Sequence, residues 1–137
     1  MQPTRKLTED SSEVYSRIAS FRYAFDGWWF VVRTQHNAWI HLIFTITVFA
    51  LAFWLRLPAR DWAVLILTIM VVWTAEFMNT ALEAVVDMTM PEVHPLAKVA
   101  KDVAAAAVLL SALSAILVGL LIMGPPLIER VSQLYGD

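Results

Sequence analysis

Four polar residues punctuate one long helical stretch: Glu76, then Asn79, Glu83 and Asp87 at intervals of 3, 7 and 11 residues from it. At about 100° per residue those intervals are rotations of roughly 300°, 700° and 1100°, so all four fall on one face of a helix. The run from Trp62 to Ala75 before them holds 14 uncharged residues. Glu76 therefore lies roughly 21 Å along an upright helix, still inside the inner margin of an approximately 30 Å hydrocarbon layer. An ionisable group at that depth is costly and faces either a partner or a water-filled site. Three carboxylates and an amide in one stripe need cations to offset their repulsion, and a hard metal ion is the natural candidate. The alternative is a network at a helix interface in which Glu83 and Asp87 meet Lys98 or Lys101, although three acids against two flexible lysines leave it under-neutralised.

Other chemistries lack their residues. The chain has no cysteine, which removes disulfides, thiolate metal sites and cysteine nucleophiles together. His36 and His41 are five apart, too far round a helix for the usual zinc pair. Gly27, Gly119, Gly124 and Gly136 form no phosphate-cradling loop. Lys98 and Lys101 read equally as flanks of the following span, with Asp102 as its N-cap, or as groups that reach phosphates or a nucleotide.

The elements that must position the stripe follow from composition. In 137 residues, 59% are hydrophobic and 16% charged, and the mean hydropathy is +0.63. That is too apolar for an ordinary water-soluble domain, and three spans of about 20 residues would use about half the chain, leaving little for a separate soluble catalytic domain. A formal charge of −2, without any basic run interleaved with aromatics, argues against a nucleic-acid partner. Residues 1–11 are polar and are expected to form a disordered leader. Over 12–34, Val14, Ile18, Phe21, Phe25, Trp28 and Val32 recur at helical spacing, which predicts an amphipathic helix. Its aromatics and arginines suit the headgroup region of a bilayer, or equally a helix packed on its own bundle. Spans are expected at about 38–57, 62–89 and 102–123, making 12–124 one membrane domain with a C-terminal tail at 125–137. The first ends at Arg56-Leu57-Pro58-Ala59-Arg60-Asp61 in a tight hairpin, a loop covers 90–95, and the third stops at Gly124-Pro125-Pro126. Arg5, Lys6, Arg17, Arg22, Arg33, Lys98 and Lys101 lie on one side and Arg56, Arg60 and Arg130 on the other, which favours a cytoplasmic N-terminus.

The residues also carry a family resemblance. Ala75-Glu76-Phe77-Met78-Asn79-Thr80-Ala81-Leu82-Glu83-Ala84-Val85-Val86-Asp87, followed by Glu92-Val93-His94-Pro95-Leu96-Ala97-Lys98-Val99-Ala100-Lys101-Asp102, resembles the signature of the small bacterial membrane diacylglycerol kinases. Ser20-Phe21-Arg22-Tyr23-Ala24-Phe25-Asp26-Gly27, Arg33-Thr34-Gln35-His36-Asn37-Ala38-Trp39-Ile40-His41 and His94-Pro95-Leu96 are more similar to its undecaprenol kinase branch. The resemblance implies an all-α integral membrane protein, a homotrimer in the bacterial inner membrane with a surface helix and three spans per chain. Its active sites would be shared between neighbouring subunits at the cytoplasmic interface. It implies an ATP- and magnesium-dependent kinase acting on a membrane lipid alcohol, undecaprenol before diacylglycerol. By motif position Glu76 is the general base on the lipid hydroxyl, Glu83 a magnesium ligand, and Asn79 and Asp87 support the nucleotide. Glu92, His94, Lys101, Asp102 and Tyr23 contact ATP. Where the family commonly carries a second metal-binding glutamate, this chain has Gln35, a neutral oxygen donor that should hold the metal more weakly. That departure leaves room for a weakened or non-catalytic homologue.

Overall fold

The structure, a computed structural model, describes residues 4–89 and 94–135. Among these the chain is entirely helical: α1 (Thr4–Thr34), α2 (His36–Trp54), α3 (Ala59–Thr89) and α4 (Pro95–Tyr135). Helix α1 belongs to one compact unit, and Gln35 onward forms a second. The last three helices are each long and apolar enough to cross a membrane.

Helix α1 begins at Thr4, so most of the stretch expected as a disordered leader is helical. No proline or glycine interrupts the chain from Thr4 to Asp26, and nothing in the local sequence stops a helix once it has started. At its other end the Arg33 guanidinium lies 5.1 Å from the centre of the Trp29 ring, one turn back. That places a cation where the helix dipole favours one. Gln35, with φ −98° and ψ 118°, is extended and separates α1 from α2. Phe21, Phe25 and Trp28 are exposed, and so are Tyr23 and Phe30, which the helical rotation places on the opposite face.

Helix α2 ends three residues before the boundary expected from Pro58, and the hydrogen bonds show why. Leu57 N–H donates to Ala52 O and Arg56 N–H to Phe53 O, both at 3.1 Å, the paired bonds of a Schellman cap. Arg56 takes the left-handed position with φ 53°, where glycine is the usual residue. The cap carries Leu57 inward, and it joins Ala52 and Leu65 in a buried cluster against which Val48, Trp62, Ile122 and Met123 pack. Pro58 then opens α3 by accepting hydrogen bonds from the Asp61 and Trp62 amides.

Helix α3 packs on both α2 and α4. Its buried residues are Leu65, Val72, Trp73, Glu76, Asn79 and Thr80, all within an arc of about 120°. One stripe thus begins apolar and becomes polar without changing face. At 31 residues the helix is about 46 Å long, more than a hydrocarbon layer requires. Phe44 and Ile46 on α2 and Leu109, Leu113 and Leu120 on α4 are exposed, as befits surfaces that meet lipid or other apolar helices.

Helix α4 does not stop at Gly124-Pro125-Pro126; it runs from Pro95 to Tyr135 through both prolines. The region expected as a tail is therefore largely helical. Gly124 carries no Cβ to clash with the following proline ring. Tertiary contacts flank the prolines: before them Ile122 and Met123 pack on the Ala52–Leu57–Leu65 cluster, and after them the Arg130 guanidinium lies 5.9 Å from the Trp54 ring centre. The loop expected at 90–95 falls mostly outside the described residues, and α4 begins at Pro95 with proline in its first turn.

The left-handed backbone at Arg56 carries a steric penalty that glycine lacks, partly offset by the greater freedom glycine gives the unfolded chain. Arg56→Gly is expected to raise the unfolding free energy in detergent by a few tenths to about 1 kcal/mol. A denaturation curve showing the variant less stable than the parent would contradict that reading of the cap.

Candidate active site

The polar end of the α3 stripe contains the deepest ionisable group. Glu76 is fully buried, at 0% exposure, and neither carboxylate oxygen has a hydrogen-bond partner. Its nearest basic group is on α2: His41 Nε2 stands 3.7 Å from Glu76 Oε2, close but beyond hydrogen-bond reach. Neighbouring side chains hold the imidazole in place. The Trp73 ring meets it edge-on, with centroids 6.2 Å apart and planes at 65°. Trp73 Nε1–H donates to Thr45 Oγ1 at 3.2 Å, and the Thr45 hydroxyl donates to the His41 carbonyl at 2.7 Å. On the other side Trp73 rests against Phe77, with centroids 5.8 Å apart.

One turn beyond Glu76, Asn79 Nδ2 donates to Glu83 Oε1 at 3.2 Å, while Asn79 Oδ1 is buried without a partner. His41 Nε2 is unpartnered in the same way. Each buried polar atom left without a hydrogen bond costs about 1–3 kcal/mol. Four of them on three neighbouring side chains mark this as the one place among the described residues where the buried core leaves donors and acceptors for something else.

Burial then falls along the face: Glu83 is half-buried and the Asp87 side chain is 66% exposed. Asp87 pairs with Lys101 on α4, which is part of the interface network expected as the alternative to a metal site. An ion pair this exposed is worth about 0–1 kcal/mol, so a competing anion opens it at little cost. Lys98 pairs with Asp102 one turn on at 2.6 Å. Asp102 is therefore not the N-cap of the third span, because α4 already starts at Pro95. The capping role falls to His94, whose Nδ1 accepts the Leu96 amide at 3.2 Å.

The structure thus gathers Glu76, Asn79, Glu83 and Asp87 on one face and brings Lys101 to its exposed end. Gln35 is half-buried at the start of α2 and makes no capping hydrogen bond; no hydrogen bond ties it to Glu83. Tyr23 is exposed on α1, and Glu92 lies outside the described residues. No three His, Asp or Glu side chains among the described residues gather into a metal site of their own. Sequence reasoning weighed His41 only as half of a zinc pair and missed its place beside Glu76. The available signal was that His41 is the sole ionisable residue between Trp39 and Leu55, and an ionisable side chain inside a span calls for a partner.

An apolar groove of about 430 Å³ opens between α2, α3 and α4 beside this pair. His41, Trp73 and Ala112 line one end and Leu51, Met123 and Leu127 the other, with Phe44 and Ile116 between.

Residues 22–123 match the family described as prokaryotic diacylglycerol kinase. The chain is 46% identical over 113 residues to a diacylglycerol kinase of Synechocystis, covering 82% of this chain and 65% of that protein. It is 38% identical over 116 residues to an undecaprenol kinase of Bacillus subtilis, covering 85% of this chain and 94% of that one. Against a diacylglycerol kinase of Escherichia coli it is 40% identical over 67 residues, covering 49% of this chain and 55% of the relative. The family match covers the first two candidate spans, most of the third and the whole polar face of α3, and on that ground the chain belongs to the prokaryotic diacylglycerol kinase family.

Proposed function

We propose that the chain is an ATP- and magnesium-dependent lipid kinase that phosphorylates the hydroxyl of a membrane lipid alcohol, with undecaprenol as acceptor. The observation that carries this is the Glu76 carboxylate: fully buried on a membrane-length helix, with both oxygens unpartnered, in a chain of this family. A carboxylate so placed can accept a proton from a hydroxyl that arrives through lipid. Relatives named as lipid kinases support the reaction class, and the undecaprenol kinase, matched over 94% of its length, supports the acceptor. Diacylglycerol is the second reading, favoured by the 46% identity to a relative of that name.

In this reading the lipid oxygen forms a bond to the γ-phosphorus of ATP as the bond from that phosphorus to the β–γ bridging oxygen breaks, releasing ADP. Glu76 takes the hydroxyl proton. Glu83 and the unpartnered Asn79 Oδ1 are oxygen donors, the type a magnesium ion takes, and Gln35 would add a neutral one. Magnesium supplies neutralisation of phosphate charge, and so short a protein donor set fits an ion held mostly by the nucleotide. Asp87 supports the nucleotide, and Lys101 turns from Asp87 toward its phosphates. Glu92, His94, Asp102 and Tyr23 complete the ATP contacts. The assembly is a homotrimer in the bacterial cell membrane with sites shared between neighbours and a cytoplasmic N-terminus, where α1 lies on the membrane surface. The exposed aromatics of α1 and the excess of basic residues on that side support this placement.

Transfer of labelled phosphate from ATP to undecaprenol or diacylglycerol in micelles tests the reading. Turnover is expected with undecaprenol and magnesium, and Glu76→Gln is expected to lower it by about 10²–10⁴-fold; a Glu76→Gln enzyme at full rate would remove the base. Separately, Glu83→Ala should leave the oligomer intact and abolish magnesium-dependent turnover, whereas loss of assembly would mean that the polar face only holds helices together. Gln35→Glu should lower the magnesium concentration needed for half-maximal rate. An unchanged requirement would place residue 35 away from the metal.

A further inference from the structure

We propose that His41 is a positioning residue for Glu76, donating a hydrogen bond from Nε2 to Glu76 Oε2 in the working enzyme and leaving Oε1 for the acceptor hydroxyl. The inference rests on the reading of Glu76 as the base. Its ground is the pairing of two orphans. His41 Nε2 and both oxygens of Glu76 are buried without partners, and the two groups face each other across 3.7 Å. A shift of about 0.7 Å makes this a hydrogen bond of ordinary length. As they stand, each residue leaves a buried polar atom unpaired, at a cost of about 1–3 kcal/mol for each such atom.

The second ground is that the ring is held while its reactive edge is free. The Trp73 indole packs edge-on against the imidazole, and Thr45 joins the two, accepting from Trp73 Nε1 and donating to the His41 carbonyl. The Trp73 ring, itself tied to Thr45, limits how far the imidazole can turn. That matters for a carboxylate in lipid, which needs a donor to remain an anion and a fixed orientation to present one lone pair to the incoming proton. Asn79, the amide one turn along α3, donates to Glu83 instead. His41 is thus the basic residue within 4 Å of the carboxylate. It also lines the apolar groove at the end nearest Glu76, so an acceptor whose tail lay there would bring its hydroxyl to the oxygen that His41 leaves open.

The test compares His41→Ala, His41→Gln and His41→Asn, each assayed as the full-length oligomer at saturating ATP and lipid alcohol. A glutamine amide can occupy the place of Nε2, and the shorter asparagine amide that of Nδ1. The expected result is a kcat for His41→Ala and His41→Asn lowered by about tenfold to a hundredfold, the KM for ATP within about twofold of the parent, and most of kcat restored in His41→Gln. Full kcat in His41→Ala overturns the proposal, as does an equal loss in all three variants. Should His41→Ala fail to assemble, the contrast between glutamine and asparagine still decides. Glu76→Gln, measured alongside, separates the two levels: an inactive Glu76→Gln with fully active His41 variants removes only the positioning role, and a fully active Glu76→Gln removes the base reading on which it rests.

Discussion

Everything in this chain is arranged around one constraint, the placement of an acid inside a helix that must be apolar enough to enter a membrane. An isolated ion of this kind costs several kcal/mol out of water even after its surroundings relax. The buried stripe of α3 reaches Glu76 gradually. Leu65, Val72 and Trp73 lead to it, and Asn79 and Thr80 follow on the same face. The polar group is thereby directed into the helix interface rather than toward lipid. The hairpin at Arg56 serves the same placement. By capping α2 early it turns Leu57 into the cluster with Ala52 and Leu65, which fixes α2 against the apolar half of α3. His41 and Thr45, toward the start of α2, then stand opposite Trp73 and Glu76.

From Glu76 to Asp87 the face passes from complete burial to exposure, and the character of each interaction changes with it. At the buried end polar atoms are unpartnered, so adding a donor or acceptor there removes a penalty of about 1–3 kcal/mol. At the exposed end Asp87 and Lys101 are already paired, but in a solvent that makes the pair worth about 0–1 kcal/mol. Under the proposed function this order suits the reactants. A lipid hydroxyl coming through an apolar groove meets the group that lacks a partner, and a nucleotide coming from water meets ion pairs that exchange readily.

The polar face was legible from the sequence because it depends only on helical rotation: the intervals from Glu76 to Asn79, Glu83 and Asp87 place them together whatever they pack against. The three spans were legible from apolar length. The end of the second, at 89, agrees with α3; the end of the first and both ends of the third were not legible, and for specific reasons. Arg56 occupies a cap position that glycine usually signals, so the end of α2 could be inferred only from Pro58, too late. Pro125 and Pro126 are strong local stop signals, yet the helix runs through them, flanked by the tertiary contacts of Ile122, Met123 and Arg130. Asp102 looked like a cap because the uncharged run begins after it. The helix itself starts at Pro95, where His94 supplies the acceptor. The pairing of His41 with Glu76 required knowing that α2 and α3 meet with Thr45 beside Trp73, which no spacing within either helix encodes.

That missed pairing bears on how so short a chain can hold a site. A soluble enzyme can surround a carboxylate with backbone amides from loops, but a membrane-spanning helix has committed its amides to its own hydrogen bonds. Within the bilayer the donors left are side chains, and those that carry an N–H at modest length, such as histidine, asparagine and tryptophan, are the ones found here: His41 facing Glu76, Asn79 donating to Glu83, and Trp73 donating to Thr45. Each spans a single helix–helix distance or a single turn. The geometry of the polar face is consequently set by helix packing, and small changes in how α2 lies on α3 act directly on the distance between His41 and the acid.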